Sequence, residues 1–275
     1  MRTLTTGTVE RGFVAGGRRG TGAGGASENH VVIVPGLGIV GYLVPLVREL
    51  SRRGMRVTLL DLPGFGRADG VGSLPTVPAV AEAVASWCSG LPEDDRLVLL
   101  GHSTGAQAAL LAAVQLQYER PPAALVLAGP TVAPNQRSLP RLLATAPMAY
   151  RRDPPVELGA LGDYRLSGRD VLTLVRSAIA DRPERTVREL TVPLLVTAGR
   201  CDAFAPALWL VTLTHAAASR SAQVVRLPGS HNNPFTHSSA LATVMESVTT
   251  EAARLRRAGA GRTRRHVAVS RAAAP

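Results

Sequence analysis

The sequence predicts an α/β protein, a mostly parallel sheet with helices on both faces. Three observations predict it. Unbroken apolar runs of strand length recur along the chain, runs with helical spacing alternate with them, and Gly-rich or polar turns close most of the apolar runs. A strand buried on both faces needs no polar side, so it reads as a continuous apolar run. Strands that alternate with helices form a parallel sheet, because each helix carries the chain back across one face.

The elements follow in order. NHVVIVPGLG (Asn29–Gly38) is an apolar run ending in a Gly-rich turn and reads as a buried strand. GYLVPLVRELSRRG has helical spacing and stops at Gly54, and MRVTLLDLPGFG (Met55–Gly66) is a second strand and turn. LPTVPAVAEAVASWCSGL reads as helix after its prolines. DRLVLLGHSTG is a third strand, and AQAALLAAVQLQYER a helix ended by Pro121 and Pro122, which cannot continue one. AALVLAGPTV, TVPLLVTAGRCD and AQVVRLPGSH supply the fourth, fifth and sixth strands, and SSALATVMESVTTEAARLRR closes with a long helix.

One interval breaks the alternation. Roughly Ala133 to Leu190 holds two helical patterns, SLPRLLATAPMAY and GRDVLTLVRSAIADRPER, and no clear strand. Ligands bind beyond the carboxyl ends of the strands in such sheets, and an insertion leaving there is expected to cap them. A pair of ordinary surface helices is the plainer alternative. The expected organisation is therefore a flexible segment over 1–28 with weak first strands, a core over 29–132 and 191–253, a helical cap over 133–190, and a basic disordered tail over 254–275. The N-terminal GGRRGTGAGGASE contains a formal G-x-G-x-x-G at Gly20, Gly22 and Gly25. No buried strand runs into it and no helix follows, so it is not expected to bind a dinucleotide.

Composition bounds the function. The 275 residues, 45% hydrophobic, suffice for one large globular domain. No apolar run is long enough to span a bilayer and the N-terminus has no signal-like apolar core, which predicts a cytoplasmic protein. Cys88 and Cys201 lie far apart and are expected to be buried small hydrophobes rather than a disulfide or a metal site. The net charge is +11, carried by arginine without a single lysine. Seven of those arginines (Arg254, Arg256, Arg257, Arg262, Arg264, Arg265 and Arg271) lie at the C-terminal end, and setting them aside leaves +4. The tail lacks interleaved aromatic residues for base stacking, so no nucleic-acid partner is expected. The absence of lysine excludes a Schiff base and a Walker phosphate-binding lysine.

The chemistry centres on Gly101-His102-Ser103-Thr104-Gly105. A serine hydroxyl is a poor nucleophile until a base takes its proton. A sharp turn from strand to helix pushes the side chain out of the sheet, and its flanking residues must be small because strand, turn and helix crowd there. The first turn of the helix has unpaired N–H groups, so the Thr104 N–H can face an oxyanion. A base and an orienting acid are expected at later strand ends. Asp202 follows LLVTAGRC, and His231 follows VVRLPGS. His237 is the competing histidine, six residues on. His30 and His215 lack a strand-end position, His266 lies in the tail, and the His102 side chain should point away from Ser103. Asp61 ends an earlier strand and reads as support for its turn. A second oxyanion donor is expected from PGLG, at the Leu37 N–H.

VVIVPGLG, DLPGFGRAD, GHSTG, VTAGRCDAFAP and LPGSHNNPF occur in the order that resembles the α/β-hydrolase superfamily, closest to capped bacterial hydrolases of the esterase and carbon–carbon hydrolase type. The resemblance spans about residues 29 to 250. It implies an eight-stranded, mostly parallel sheet, its first two strands lying before Asn29. It also implies Ser103, Asp202 and His231 as a triad, with Leu37 and Thr104 as oxyanion donors. Many members have His-Gly where this chain has Pro35-Gly36, and that histidine usually braces the oxyanion loop. The serine argues against the dehalogenase and epoxide hydrolase branches, which use an aspartate. The expectation is a cofactor-free, metal-free serine hydrolase that forms an acyl-enzyme on Ser103, acting on a small-molecule ester or thioester. C–C bond hydrolysis, perhydrolase (haloperoxidase-like) activity and acyl transfer share the machinery. A non-catalytic small-molecule-binding protein of the same fold is the alternative from another class.

Overall fold

The computed structural model describes residues 11–15, 29–62, 75–153 and 168–250. The Gly20–Gly25 spacing, most of the turn after Asp61 and the arginine tail lie outside the described residues.

Seven strands form one sheet: β1 (Arg11–Ala15), β2 (Asn29–Val34), β3 (Arg56–Asp61), β4 (Arg96–His102), β5 (Ala124–Ala128), β6 (Leu194–Gly199) and β7 (Ala222–Leu227). The spatial order is β1-β3-β2-β4-β5-β6-β7. Only β1 is antiparallel to its neighbour; β2 to β7 run parallel. The eighth strand implied by the family resemblance is not among the described residues. The chain leaves β2 toward β3 on one side and returns to β4 on the other, so the order reverses between β2 and β4. A crevice opens outside the carboxyl ends at such a switch point.

The strands β2 to β6 are buried on both faces, whereas β7 is mostly half-buried. Val32, Val34, Leu99, Leu125, Leu127 and Val196 pack on one side, under α2 (Val77–Ser89), α3 (Thr104–Leu116), α5 (Gly168–Ala180) and α7 (Ala207–Ala216). Val31, Ile33, Val98, Leu100, Val126 and Leu195 pack on the other, under α1 (Val44–Arg52) and the C-terminal helix, described over 238–250. Successive residues of a strand point to opposite faces, so a run such as VVIV feeds both cores at once. Arg53 ties α1 to the last helix through Glu246 (3.0 Å) and also bonds Glu49.

Four local readings change. Helix α2 starts at Val77, before Pro78, with the Thr76 hydroxyl accepting from the Ala79 N–H at 3.3 Å. Proline is tolerated in the first turn, where its missing N–H would have no partner. Helix α3 stops at Leu116, ahead of Pro121. Helix α7, in the interval between the fifth and sixth strands, was not expected as an element. Trp209, Leu210 and Leu213 are buried there while Leu208 is 78% exposed, so its apolar residues make no single stripe. Cys88 is buried, and that burial pushes its thiol up to about 12. Cys201 is only half-buried, contrary to expectation, because it lies in the turn after β6.

The described residues of the 133–190 interval include α4 (Leu139–Ala149), α5 and the short α6 (Pro183–Thr186). The end of α4 lies on the loop after β7: the His231 N–H donates to the Ala149 carbonyl at 3.0 Å. Helix α5 lies against α2 and α3, with the Ser177 hydroxyl accepting from Val77 N–H and the Ala178 carbonyl accepting from Gln107.

Candidate active site

The strand ends are level. Val34 pairs with Gly101, His102 with Ala128, and Ala128 with Thr197. The loops that follow therefore rise together, and β2, β4, β5, β6 and β7 each contribute one of them.

The loop after β4 is the tightest. Ser103 has φ 57 and ψ −125, a backbone conformation that an L-residue rarely adopts. Its N–H is held by the Ala128 carbonyl at 3.0 Å, and α3 begins at the next residue. Close approach explains the glycines. A Cβ on Gly101 would sit 2.3 Å from the Gly105 carbonyl oxygen, and one on Gly105 would sit 2.4 Å from that of Val34. Alanines on the buried side of α3, such as Ala106, Ala109 and Ala113, continue the close contact.

Three side chains singled out from the sequence meet here. Ser103 Oγ lies 3.0 Å from His231 Nε2, and His231 Nδ1 lies 2.9 Å from Asp202 Oδ2. Asp202 Oδ1 accepts from the N–H groups of Phe204 (2.9 Å) and Ala205 (3.2 Å). Asp202 and His231 are almost fully buried, while Ser103 keeps 9% of its surface. Burial pushes the Asp202 carboxyl up, but the adjacent His231 and the hydrogen bonds outweigh it and hold the group below its usual range. A carboxylate facing Nδ1 fixes a proton on that nitrogen, which leaves Nε2 to accept from the serine hydroxyl.

The loop after β2 stands beside Ser103. Leu37 has φ 50, and its N–H donates to Thr104 Oγ1 at 2.9 Å. The Thr104 N–H lies in the first turn of α3, where the helix offers it no carbonyl. The Gly36 N–H donates to the Tyr42 hydroxyl at 2.9 Å. Among the described residues, no group of three or more His, Cys, Asp or Glu is arranged to hold a metal ion.

The other histidines lie apart. His237 Nδ1 pairs with the Thr236 hydroxyl at 2.9 Å. His30 is at the opposite end of β2, between Asp95 and Thr58. His102 does turn from Ser103, but into the site's rear wall: its ring is 4.9 Å from that of His231. Burial, and then the neighbouring His231, lower its pKa to about 3.

Several site residues gave no legible signal in the sequence. Phe204 and Tyr150 set their rings edge-on to His231 at 5.0 and 5.4 Å. Gly129, after β5, packs so closely that a Cβ would come 3.1 Å from Asp202 Oδ2. Trp209 Nε1 donates to the Pro130 carbonyl at 3.1 Å and steadies that loop. AGPTV was legible as the end of the fourth strand, whereas β5 stops at Ala128, and the contact of Gly129 with the Asp–His pair was not legible.

Comparison with known proteins extends the picture. A model of the alpha/beta hydrolase family matches residues 31–244. An uncharacterized protein of Mycobacterium tuberculosis is 32% identical over 216 residues, covering 77% of this chain and 66% of its own length. The chain thus spans about two thirds of that relative. An esterase from Thermogutta terrifontis superposes with a TM-score of 0.64 at 21% identity, over 82% of this chain and 91% of the esterase. YbtT, a type II thioesterase from the yersiniabactin NRPS/PKS biosynthetic pathway, superposes with a TM-score of 0.63 at 19% identity, over 88% and 98%.

Proposed function

The chain belongs to the alpha/beta hydrolase family, and we propose that it is a serine hydrolase that cleaves a carboxylic ester or thioester through an acyl-enzyme on Ser103. The observation that carries this reading is the continuous hydrogen-bonded line from Ser103 Oγ to His231 Nε2 and from His231 Nδ1 to Asp202.

His231 takes the Ser103 proton as Oγ attacks the carbonyl carbon, and Asp202 stabilises the imidazolium that forms. The oxyanion accepts from the Thr104 N–H and the Leu37 N–H, and the second of these exchanges or shares its bond to Thr104 Oγ1. Collapse expels the alcohol or thiol, which takes the proton from His231. Water, deprotonated by the same imidazole, then releases the acid and restores Ser103. Helices α4 and α5 act as parts of a cap, and Tyr150 at the end of α4 and Phe204 give the acyl or alcohol group an apolar wall beside His231.

The test is covalent labelling by a fluorophosphonate, with Ser103→Ala alongside. Labelling of the wild type and its loss in the variant are expected. Equal labelling of both proteins would overturn the reading. So would a folded wild type inert to the fluorophosphonate and to a smaller sulfonyl fluoride. A panel of esters, thioesters and diketones then separates ester, thioester and C–C bond cleavage.

A further inference from the structure

The loop after β2 and the loop after β7 both border Ser103, yet three strands separate their parents in the sheet. A line of hydrogen bonds runs between them behind the serine. The Gly36 N–H meets Tyr42 Oη at 2.9 Å, Tyr42 Oη meets His102 Nδ1 at 2.6 Å, and His102 Nε2 meets the His231 carbonyl oxygen at 3.0 Å. Tyr42 and His102 are 6% and 1% exposed.

Donor accounting leaves one arrangement of protons. A carbonyl oxygen only accepts, so His102 Nε2 carries the hydrogen. His102 is neutral at ordinary pH, since burial lowers its pKa to about 3. Its Nδ1 is therefore an acceptor, and Tyr42 donates to it. The Tyr42 oxygen keeps a lone pair for the Gly36 N–H. Every link is buried, and buried links of this kind hold geometry because leaving any partner unmade costs its full desolvation.

Both ends matter. A Cβ on Gly36 would lie 2.7 Å from the Ser103 Cβ, so any drift of this loop meets the serine directly. Gly36 also fixes where the next N–H, that of Leu37, points. At the other end the bond falls on the main chain of His231, whose ring holds the Ser103 hydroxyl. Pro35 has no N–H, so the first donor in this loop is that of Gly36.

We propose that Tyr42 and His102 form a positioning relay that holds the oxyanion loop and the His231 loop in register about Ser103. The relay touches no substrate; it sets the distance between the group that makes the nucleophile and the groups that receive the charge. It rests on the reading of Ser103 as an activated nucleophile.

The experiment measures saturation labelling by a fluorophosphonate, separating the maximal rate of bond formation from the probe's binding constant. Tyr42→Phe keeps the ring and removes the hydroxyl. Its maximal rate is expected to fall about tenfold to a hundredfold, the range for lost supporting hydrogen bonds at a site, with the binding constant within about twofold. His102→Gln, whose amide can accept from Tyr42 and donate to the His231 carbonyl, is expected to keep more rate than His102→Leu. Tyr42→Phe combined with His102→Leu is expected to lose little beyond the worse single variant, as for two parts of one line. A wild-type rate in a folded Tyr42→Phe overturns the relay, as does a weakened binding constant with an unchanged maximal rate. If the His102 variants do not fold, Tyr42→Phe alone decides. A wild type that fails to label, in contrast, overturns the reading of Ser103, and the relay with it.

Discussion

His102, proposed above as a positioning residue, also bears on stability. It sits beside the serine in sequence, yet its ring packs on His231 with almost no solvent contact. Its pKa falls from the usual 6.5 to about 3, mainly because burial disfavours the charged ring. The unfolded chain therefore binds a proton at this position below about pH 6.5 that the folded chain refuses until about pH 3. More protons on the unfolded state means stability that rises with pH across that window. Folding is expected to weaken as pH drops from 6.5 toward 3, by about 1.4 kcal/mol per unit at the steepest. Urea denaturation at pH 7 and pH 4.5 measures this. His102→Gln, with no proton to bind, should flatten the slope. An unchanged slope in the variant would place the acid sensitivity in other groups. Asp202 acts in the same direction at lower pH: its carboxyl is held below its usual value, so its contribution is present above about pH 4 and lost below.

Among the elements, the junction of β4 with α3 is the least tolerant. Gly105 allows the first turn of α3 to rest on the end of β2, and the atoms its Cβ would strike are the backbone oxygens of Val34 and Pro35 at 2.4 and 2.5 Å. Backbone cannot rotate away as a flexible side chain can. Gly105→Ala is expected to cost about 3 kcal/mol or more and to slow labelling of Ser103, since the helix must lift from β2. Gly54→Ala is the contrast. Gly54 has φ +79 but no heavy atom within 4 Å of the added Cβ, so only the left-handed backbone resists, at about 1–2 kcal/mol. Chemical denaturation of the two variants compares a steric requirement with a conformational one. Similar costs would mean that the β4–α3 junction has more slack than its distances indicate. Apolar runs made β2, β4, β5 and β6 legible because both faces are buried. Helix α7 was not, since exposure of Leu208 and Val211 blurs its stripe. The extent of α3 was overread because proline marks where a helix cannot continue, not where it stops.

For the chain as one body, the positive charge is concentrated at one end of the sequence. Seven arginines lie from Arg254 to Arg271, and without them the net charge falls from +11 to +4. The residues around Ser103 lie on the sheet's carboxyl edge, within the described part of the chain. Deleting 254–275 is expected to abolish any salt-sensitive binding to heparin or DNA while leaving the labelling rate of Ser103 unchanged. Loss of labelling in the truncated protein would tie the tail to the site. No helix among the described residues is long and apolar enough to cross a membrane.

Local order was enough for the alternation of strands and helices, for the crowded Gly-x-Ser-x-Gly turn and for the strand-end positions of Asp202 and His231. Those features depend on side-chain period and on sterics within a few residues, which a linear string preserves. Which groups face one another across the strand ends is a different matter. Tyr42 reaches His102 over 60 residues, and His102 reaches His231 over 129. Gly129 rests on Asp202, and Tyr150 on His231, through a sheet order that reverses between β2 and β4. Hydrogen bonds between loops of non-neighbouring strands carry no spacing rule. They exist only once the parallel register has levelled the strand ends and the two cores have closed around them.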